Sequence, residues 1–522
     1  MRRLIVFALV ACVPPGDSGP VTASAADTAT GFSTVDEPTT SEASTTTGTS
    51  GSPGTTDDVM SGTGDAPTSC PSGDVEVTTD EELAALDGCT EVNGDLFVRD
   101  HVTDLSPLAA LQTVTGELHI RTTLVTSLTG LEGLHSVGAL TLEGLKITSL
   151  APLAGLTSVP GDVDLHDIDG LATLEGLHHL EEIGGSLYVE ICRDLVDLKG
   201  LRALQHIGDS LHLYALKQLT GFHGLEALTS VGAPDGPPSV IELDTLPLVT
   251  SFDGLVFPWH NAHDIRLDYT GVTDLATFTG VTAVHQLLIS DTPQVLSLAG
   301  LESLTSVTES FHLSDMEGLV DIEALAGLHS AGTVFFARDP GVTSLAPLAS
   351  LTDVGRVFIL QTALADVDLP GLVEVGDVHI DRNQLLTGLS GFSGLTTLGS
   401  LSLTENPALA GLSDLSDLVT VPGELTISDN DALLAVDELA ALTAVGDLVI
   451  VFNGALPQVD AVAFGDTIAV DGTRKIAANL GYGPPADPCP WENDGICDAF
   501  DYGQGGAICA EGTDDLDCSG GD

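Results

Sequence analysis

Apolar residues recur along this chain in one pattern that repeats about every 23 residues. The stretch PGELTISDNDALL (422–434) matches LGSLSLTENPALA (398–410) and VGDVHIDRNQLL (375–386), and each has apolar, variable and apolar residues shortly after a glycine. One unit of this length has no core of its own, so successive units must stack to bury these residues. The pattern therefore predicts a solenoid. The first apolar position of the motif falls at Leu96, Leu118, Leu140, Val163, Leu187, Leu211, Ile241, Ile265, Leu287, Phe311, Val334, Val357, Val378, Leu401, Leu425 and Leu448.

Within each unit the spacing of apolar residues changes from two to three. Residues 118–120 (Leu-His-Ile) alternate, which is typical of a strand with its middle side chain pointing outward. Spacing by three favours an extended or 3₁₀-like return path, and one such run is Leu105, Leu108, Leu111 and Val114. We therefore expect a mostly β fold, a right-handed parallel β-solenoid of about 16 coils and about 75 Å in length.

Glycine and asparagine mark fixed places in the repeat. Glycine at strand entry, which should permit a tight corner, occurs at Gly94, Gly116, Gly161 and Gly423. Asparagine after the strand predicts a partial ladder of side-chain hydrogen bonds to the turns, from Asn383, Asn406 and Asn430.

The chain is strongly acidic. Its 15 Lys and Arg residues against 76 Asp and Glu residues give a formal net charge of −61. This charge excludes a basic footprint for nucleic acid and opposes adhesion to anionic lipid. Cations, basic proteins or neutral sugars are the expected partners, and an extracellular protein or glycan fits best.

The N-terminus predicts export. Residues 1–11 have two arginines followed by an apolar run that is too short to span a bilayer, which is typical of a signal peptide. The ending Leu9-Val10-Ala11-Cys12 resembles the lipobox of bacterial lipoproteins, which implies cleavage before Cys12 and its lipidation. The alternative is an ordinary signal followed by a free cysteine. Residues 12–69, rich in Ser, Thr, Gly and Pro, are expected to form a disordered tether from the cell envelope, in a bacterium the outer membrane or cell surface.

The leader CPSGDVEVTTDEELAALDGCTEVNGDLFVRD (70–100) resembles the start of the receptor L domain, the leucine-rich-repeat-like β-helix of the epidermal growth factor and insulin receptors. The resemblance implies a disulfide between Cys70 and Cys89 and an L-domain-like solenoid over 70–482. Residues 79–82 read as a capping box that opens a short helix. Hormone binding is not implied, because the chain departs from those receptors in having more coils than one such domain and no kinase. An insertion at 232–239 suggests a weak internal boundary near 232–240.

Residues 483–522 are expected to form a separate acidic, cysteine-rich module. Its four cysteines predict two disulfides in one of three connectivities, among Cys489, Cys497, Cys509 and Cys518. The segment NDGICD with GTDDLDC resembles the Notch-type cysteine-rich repeat, which implies Ca²⁺ as the one cofactor, although that family has three disulfides. The alternative is a solvated acidic loop. The implied calcium ligands are Asn493, Asp494, Asp498, Asp514, Asp515 and Asp517. Cys192, the remaining cysteine, is expected to be a buried, inert thiol.

The outward positions of successive strands predict two surface patches. The charged patch can serve acid/base chemistry or bind a sugar or a metal, or it can simply hold a cross-strand ion pair of Glu242 with Arg266. It consists of Tyr188, Glu190, His212, Tyr214, Glu242, Asp244, Arg266 and Asp268. The ring stripe is either an exposed aromatic platform or covered by a loop. It consists of His312, Phe335, Phe358 and His379.

The sequence favours a binding protein over an enzyme. It has no phosphate-binding loop, H-E-x-x-H motif or G-x-S-x-G motif. We therefore expect a non-enzymatic adhesion or binding module whose solenoid face recognises a protein or glycan outside the cell. The alternatives are a polysaccharide lyase or hydrolase using the charged patch, and a passive envelope spacer.

Overall fold

The computed structural model describes residues 70–122, 124–233, 236, 239–255 and 264–480. Cys12, the linker, the tail cysteines and the implied calcium ligands lie outside these residues. The described part is a parallel β-solenoid of the leucine-rich-repeat-like kind. The predicted mostly β fold class is confirmed.

The strands are short and recur with the period of the sequence, whereas the two α-helices of the described residues lie at the ends of the stack. The strands are β1 (Val75–Val77), β2 (Glu91–Val92), β3 (Leu96–Arg99), β4 (Thr113–Arg121), β5 (Ser136–Glu143), β6 (Ser158–Val159), β7 (Val163–His166), β8 (Glu182–Ile183), β9 (Leu187–Glu190), β10 (His206–Ile207), β11 (Leu211–Tyr214), β12 (Ser230–Val231), β13 (Val240–Leu246), β14 (Asp264–Thr270), β15 (Ala283–Ser290), β16 (Ser306–Ser314), β17 (Ser330–Ala337), β18 (Asp353–Leu360), β19 (Glu374–Asp381), β20 (Ser400–Thr404), β21 (Thr420–Ser428), β22 (Ala444–Val451), β23 (Ala469–Val470) and β24 (Arg474–Ala477). The α-helices are α1 (Asp80–Ala84) and α2 (Gln458–Gly465). Single 3₁₀ turns occupy Ser106–Leu108, Ala151–Leu153, Lys199–Leu201, Ala276–Phe278, Glu323–Gly327, Ala346–Leu348, Ser390–Phe392, Ser413–Leu415 and Asp437–Leu439.

Among the described residues, twenty strands form one parallel sheet, in which each coil pairs with the next. Within this sheet, β2 pairs only with the first residues of β4, and β23 pairs only with the first residues of β22. Each of the other 18 strands belongs to a different coil, so the sheet contains 18 coils. The sequence pattern predicted 16 of these and missed one at each end, β1 and β24. A second parallel sheet of four strands runs in the order β12-β10-β8-β6, just before the corner that leads into the main sheet.

The core is a set of apolar columns that run through the whole stack. In the coil that begins with β3, every inward residue is at most 1% exposed, and these residues are Leu96, Val98, Val102, Leu105, Leu108, Leu111 and Val114. The return path with apolar residues at every third position is therefore confirmed. Burial of each such side chain contributes roughly 1.5–3 kcal/mol relative to exposure.

Glycines fill the corners because neighbouring coils approach closely. A Cβ at Gly423 would lie 2.7 Å from the backbone oxygen of Gly399, and one at Gly116 would lie 2.8 Å from that of Gly94. A left-handed φ is recorded for Gly94 but not for Gly116 or Gly423. The prediction of glycine at the corner holds, but its main reason is lack of space rather than backbone conformation.

In fifteen coils a residue other than glycine adopts a left-handed backbone at the end of the main strand, directly after it in thirteen coils and immediately before its last residue at Thr245 and Tyr269. The side chains at this position are diverse, for example Ile191 (φ 56°), Arg338 (φ 58°) and Phe452 (φ 58°). An L-residue in this region is disfavoured, so the surrounding hydrogen bonds of the coil must impose the turn. Aspartate is the commonest residue here, at five of the fifteen positions, but the variety of the other ten leaves the position without a consistent signal in the sequence.

The asparagine ladder extends over five fully or almost fully buried side chains. The Oδ1 atom of Asn430 accepts the backbone N–H of Asn406 at 3.1 Å, and its Nδ2 atom donates to the carbonyls of Leu403 and Ser428, both at 2.9 Å. Each ladder member thus satisfies the turn of the coil before it. The ladder was predicted at three positions and continues through Asn453 and Asn479.

Both ends of the described stack carry a cap. At the first coil, Cys70 and Cys89 form a disulfide with a Cα–Cα distance of 5.5 Å. The Thr79 hydroxyl accepts the Glu82 N–H at 3.3 Å, whereas the Glu82 carboxylate bonds the N–H of Thr78 at 2.7 Å, one residue before the position that a capping box predicts. These contacts hold α1 over the end of the core.

At the last coil, α2 packs over β24 and explains an unusual strand residue. Arg474 occupies the position where other coils have an apolar residue. Its guanidinium bonds the carbonyl of Val462 at 3.1 Å and the carboxylate of Asp466 at 2.8 Å, at the C-terminus of the helix. A cation stabilises this end of a helix dipole.

The sheet continues without interruption across the predicted internal boundary. Leu211 pairs with Ile241, and Ile241 pairs with Ile265, in the same parallel register as elsewhere.

Cys192 is fully buried, and burial raises the pKa of its thiol to about 12, as expected for an inert thiol. Among the described residues, no helix is long and apolar enough to cross a membrane.

Candidate binding face

The outward face of the main sheet collects all twelve residues that the sequence singled out. The charged patch lies on β9, β11, β13 and β14 in two columns, and the strand register places its members side by side. The ring stripe occupies one column on β16, β17, β18 and β19. None of the twelve is buried in the core, so each reaches the surface at least in part.

The centre of the charged patch is a chain of three side chains. The Tyr188 ring stacks on the His212 imidazole with centroids 4.6 Å apart and planes 13° apart. His212 Nδ1 lies 2.7 Å from Glu242 Oε2. This hydrogen bond is the main cause that lowers the pKa of Glu242. Glu242 is therefore an ionised acceptor and is poorly suited to be a general acid near neutral pH.

The predicted ion pair of Glu242 with Arg266 is wrong. Arg266 Nε instead donates to Gln286 Oε1 at 3.0 Å, and its terminal nitrogen lies 3.7 Å from Asp264 Oδ2. Glu242 and Arg266 are register neighbours, but each finds a better partner on its other side. The long arginine side chain reaches the adjacent column, which cross-strand reasoning along one column does not consider.

Two neighbouring carboxylates give the charged patch its unusual electrostatics. Asp244 and Asp268 are paired in register. Burial, with added repulsion from Asp268 and Glu242, raises the pKa of Asp244 to about 6. A buried oxygen of Asp268, Oδ1, has no hydrogen-bond partner among the described residues. Asp244 therefore holds its proton at mildly acidic pH.

Similar carboxylates extend the patch toward the N-terminus, where the sequence reasoning did not place any site. Burial and the nearby Glu190 raise the pKa of Asp164 to about 6. His166 Nδ1 lies 3.1 Å from Glu190 Oε2, and His119 lies within 3.6 Å of both Glu117 and Glu143. Only the alternation of outward residues could have located this extension.

The ring stripe is a continuous stack of four rings. His312 lies 4.0 Å from Phe335 with planes 7° apart, and Phe358 lies 4.7 Å from His379 with planes 5° apart. Between these pairs, Phe335 and Phe358 are 5.8 Å apart and tilted by 39°. All four rings are half-buried. The stack covers the ring faces and presents mainly ring edges to the solvent.

The histidine at the start of the stripe is neutral. Burial, with a contribution from the nearby Arg338, lowers the pKa of His312 to about 4. Its Nε2 atom lies 3.0 Å from the Ser314 hydroxyl. The stripe therefore presents an apolar surface with little charge in its first half, on a protein whose net charge is strongly negative.

The described residues contain no group of three or more His, Cys, Asp or Glu side chains arranged to hold a metal ion. The metal-binding interpretation of the charged patch thus has no supporting geometry there. The calcium ligands implied by the tail lie outside the described residues.

No protein-family model matches the chain, and no curated protein matches it. Several solved structures are similar to it. An internalin, InlF, of Listeria monocytogenes is 16% identical over 71% of this chain and 88% of its own, with a TM-score of 0.34. A leucine-rich-repeat protein of Leptospira interrogans is 15% identical over 70% and 91%, with a TM-score of 0.41. The functional domain of InlJ of L. monocytogenes is 16% identical over 68% and 73%, with a TM-score of 0.38. These superpositions are loose, so the architecture assigned to this chain rests on its own register and buried columns.

Proposed function

We propose that this protein is a non-enzymatic binding module that recognises an extracellular protein through the ring stripe. The observation that supports this proposal is the unbroken stack from His312 to His379 on the outward face. Aromatic side chains that are already ordered cost little entropy on binding, and such residues dominate the energetics of protein interfaces.

The geometry of the stripe favours a protein over a glycan. Sugars stack on the faces of aromatic rings, but in this stack the faces of Phe335 and Phe358 are covered by neighbouring rings. The exposed edges carry partial positive charge and suit carbonyl groups and apolar side chains. A protein segment offers both, so we expect it to lie across β16 to β19.

We further propose that the protein is exported and lipid-anchored through Cys12. The lipobox-like sequence Leu9-Val10-Ala11-Cys12 and the Ser/Thr/Gly/Pro-rich residues after it support this proposal. Expression in a bacterium fed radiolabelled palmitate should label the wild type and not the Cys12→Ser variant. Equal label in both proteins would contradict the anchor.

The test of the binding function uses the full chain on arrays of extracellular proteins and of glycans. We expect saturable binding to a protein that is lost in the Phe335→Ala/Phe358→Ala double variant. Tyr269→Ala is the control, because Tyr269 is a more exposed aromatic residue (54%) outside the stripe. Equal binding by wild type and double variant would contradict the proposal. Binding that disappears only when calcium is removed would place the site in the tail instead.

One observation favours a second candidate, a polysaccharide-active enzyme. Asp244, whose pKa is raised to about 6, lies beside Asp268 on the next strand, about 4.8 Å away at the backbone. A protonated carboxyl next to a second carboxylate is the pair that glycoside cleavage requires. Incubation with polysaccharides should then give shortened products, and Asp244→Asn should abolish them. Unchanged chain lengths would exclude this candidate for the substrates tested.

A further inference from the structure

Three consecutive turns near the start of the solenoid, after β3, β4 and β5, are shorter than those of the next three coils. In all these coils the last five buried apolar residues are spaced by three. The distance from the first apolar position of the strand motif to the first of these five is six residues from Leu96 to Val102 and seven from Leu118 to Val125. It is also seven from Leu140 to Ile147. In the next three coils it is eight, as from Val163 to Leu171. Shorter turns leave a recess at the ends of β3, β4 and β5.

The recess is a cavity of about 610 Å³, which we call the turn cavity. Charged, polar and apolar side chains from four coils line it together, namely those of Asp100, His101, Arg121, Thr122, Leu124, Glu143, His166 and Asp167, with Gly144 among them. Its size suits a ligand of one or two amino acids or a small sugar.

Gly144 keeps this cavity open. Its φ of 67° is the left-handed conformation of the turn position, which fifteen other coils fill with residues other than glycine. A Cβ at Gly144 would meet no atom within 4 Å. Neither the backbone nor the packing therefore requires glycine here. Its missing side chain leaves space beside Glu143 in the wall of the cavity.

The cavity is lined by one positively charged side chain, Arg121, and by several carboxylates. Arg121 contacts Glu143 through Nε at 3.4 Å, and the arginine side chain is 61% exposed. The carboxylates of Asp100 and Asp167 accept no hydrogen bond from the described residues, and they lie three coils apart, roughly 14 Å at the backbone, with the coils of Arg121 and Glu143 between them. Leu124, 45% exposed, adds an apolar wall. A ligand that carries both a cationic and an anionic group can satisfy both sides.

We infer that the turn cavity binds a basic amino acid or dipeptide. Its ammonium or guanidinium group pairs with the carboxylate of Asp167, which lies beside Gly144 on the next coil, its carboxylate pairs with Arg121, and an aliphatic part packs on Leu124. The negative field of the protein attracts such a cation. This site is independent of the ring stripe, so either proposal can fail without the other.

Isothermal titration of the full chain with the dipeptide lysyl-leucine tests this inference. We expect saturable binding that weakens at least tenfold in Gly144→Arg, because the arginine fills the cavity and repels the cation. The matched control is Ala215→Arg, which places the same residue at the same left-handed position (φ 56°) outside the cavity. It should change the affinity less than twofold. Arg338 and Arg382 occupy this position in other coils, so both variants should melt close to the wild type.

A second variant tests the assigned orientation. Arg121→Ala should weaken binding of lysyl-leucine at least fivefold and leave binding of lysyl-leucine amide, which lacks the carboxylate, within twofold. The inference is overturned if lysyl-leucine does not bind, if Gly144→Arg and Ala215→Arg weaken it equally, or if maltose binds in its place.

Discussion

The imidazole of His379 lies parallel to the ring of Phe358, with centroids 4.7 Å apart and planes 5° apart. This arrangement follows from the fold, because parallel strands in register place like positions about 4.8 Å apart along the sheet. A side chain that repeats at an outward position therefore stacks on its neighbours. A residue type that repeats with the period of the sequence therefore forms a row of stacked side chains on the surface of the solenoid.

Removing one ring from the stripe should cost modest stability. Phe358 is half-buried and touches a ring on either side, so Phe358→Ala should lower the free energy of unfolding by about 1–2 kcal/mol. Phe336, the residue after Phe335, is fully buried in the core, so Phe336→Ala should lower the free energy of unfolding by about 3–5 kcal/mol. Denaturant unfolding of both variants gives the comparison. A larger loss for Phe358→Ala would mean that the stripe is primarily structural.

Asp339 should make the protein less stable as the pH rises. It is fully buried, its Oδ1 atom accepts the Met316 N–H at 2.9 Å, and its Oδ2 atom has no partner among the described residues. Burial raises its pKa from 3.8 to about 6, with Asp315 and Arg338 nearby. Because the folded state binds the proton more tightly, this stabilising effect is complete below pH 3.8 and is lost as the pH passes 6.

The variant Asp339→Asn tests this effect, since the amide supplies the donor that the carboxylate lacks. It should stabilise the protein by up to about 3 kcal/mol at pH 8 and by much less at pH 4. Urea unfolding at both pH values measures the difference between variant and wild type. A difference that does not depend on pH would contradict the assignment.

The asparagine ladder should be sensitive to the loss of one member. Asn430→Ala leaves the N–H of Asn406 and the carbonyls of Leu403 and Ser428 buried without partners, so we expect a loss of about 3 kcal/mol. The neighbouring exposed residue provides the control, because Asp431→Ala should change the stability by less than about 0.5 kcal/mol. Similar melting temperatures for the two variants would contradict the role of the ladder.

Cys192 should not react in the folded protein. Its thiol is fully buried and its pKa is raised to about 12, so the thiolate is scarce at pH 8. A thiol-specific reagent followed by mass spectrometry should modify Cys192 only after denaturation. Rapid modification of the native protein would show that the coil around Cys192 opens readily.

The sequence predicted the repeating part of the fold well and its ends poorly. The alternation of apolar residues located the strands, and their spacing by three located the buried columns. Both patterns repeat because every interior coil packs its apolar residues against the same positions of the coils before and after it. The last coil breaks the pattern at Arg474, where a helix cap replaces a further coil. The left-handed turn residues gave no consistent signal, because the coil imposes that conformation on Ile191 and Phe452 alike.

The sequence located the candidate site but not its contacts. Outward alternation was enough to place Tyr188 beside His212 and Phe335 beside Phe358. The hydrogen bonds of His212 with Glu242 and of Arg266 with Gln286 were not predicted. They depend on side-chain length and orientation, which the alternation of outward residues does not describe. The turn cavity depends on differences in turn length and on one missing side chain at Gly144, which a search for shared motifs overlooks.

The most direct test of the proposed recognition surface is the affinity of single variants for the protein identified on the array. Titration calorimetry should give a Kd at least tenfold weaker for Phe358→Ala than for the wild type, a loss of about 1.4 kcal/mol. Tyr269→Ala should stay within twofold of the wild type. Unchanged affinity in Phe358→Ala, with the variant fully folded, would contradict recognition through the ring stripe.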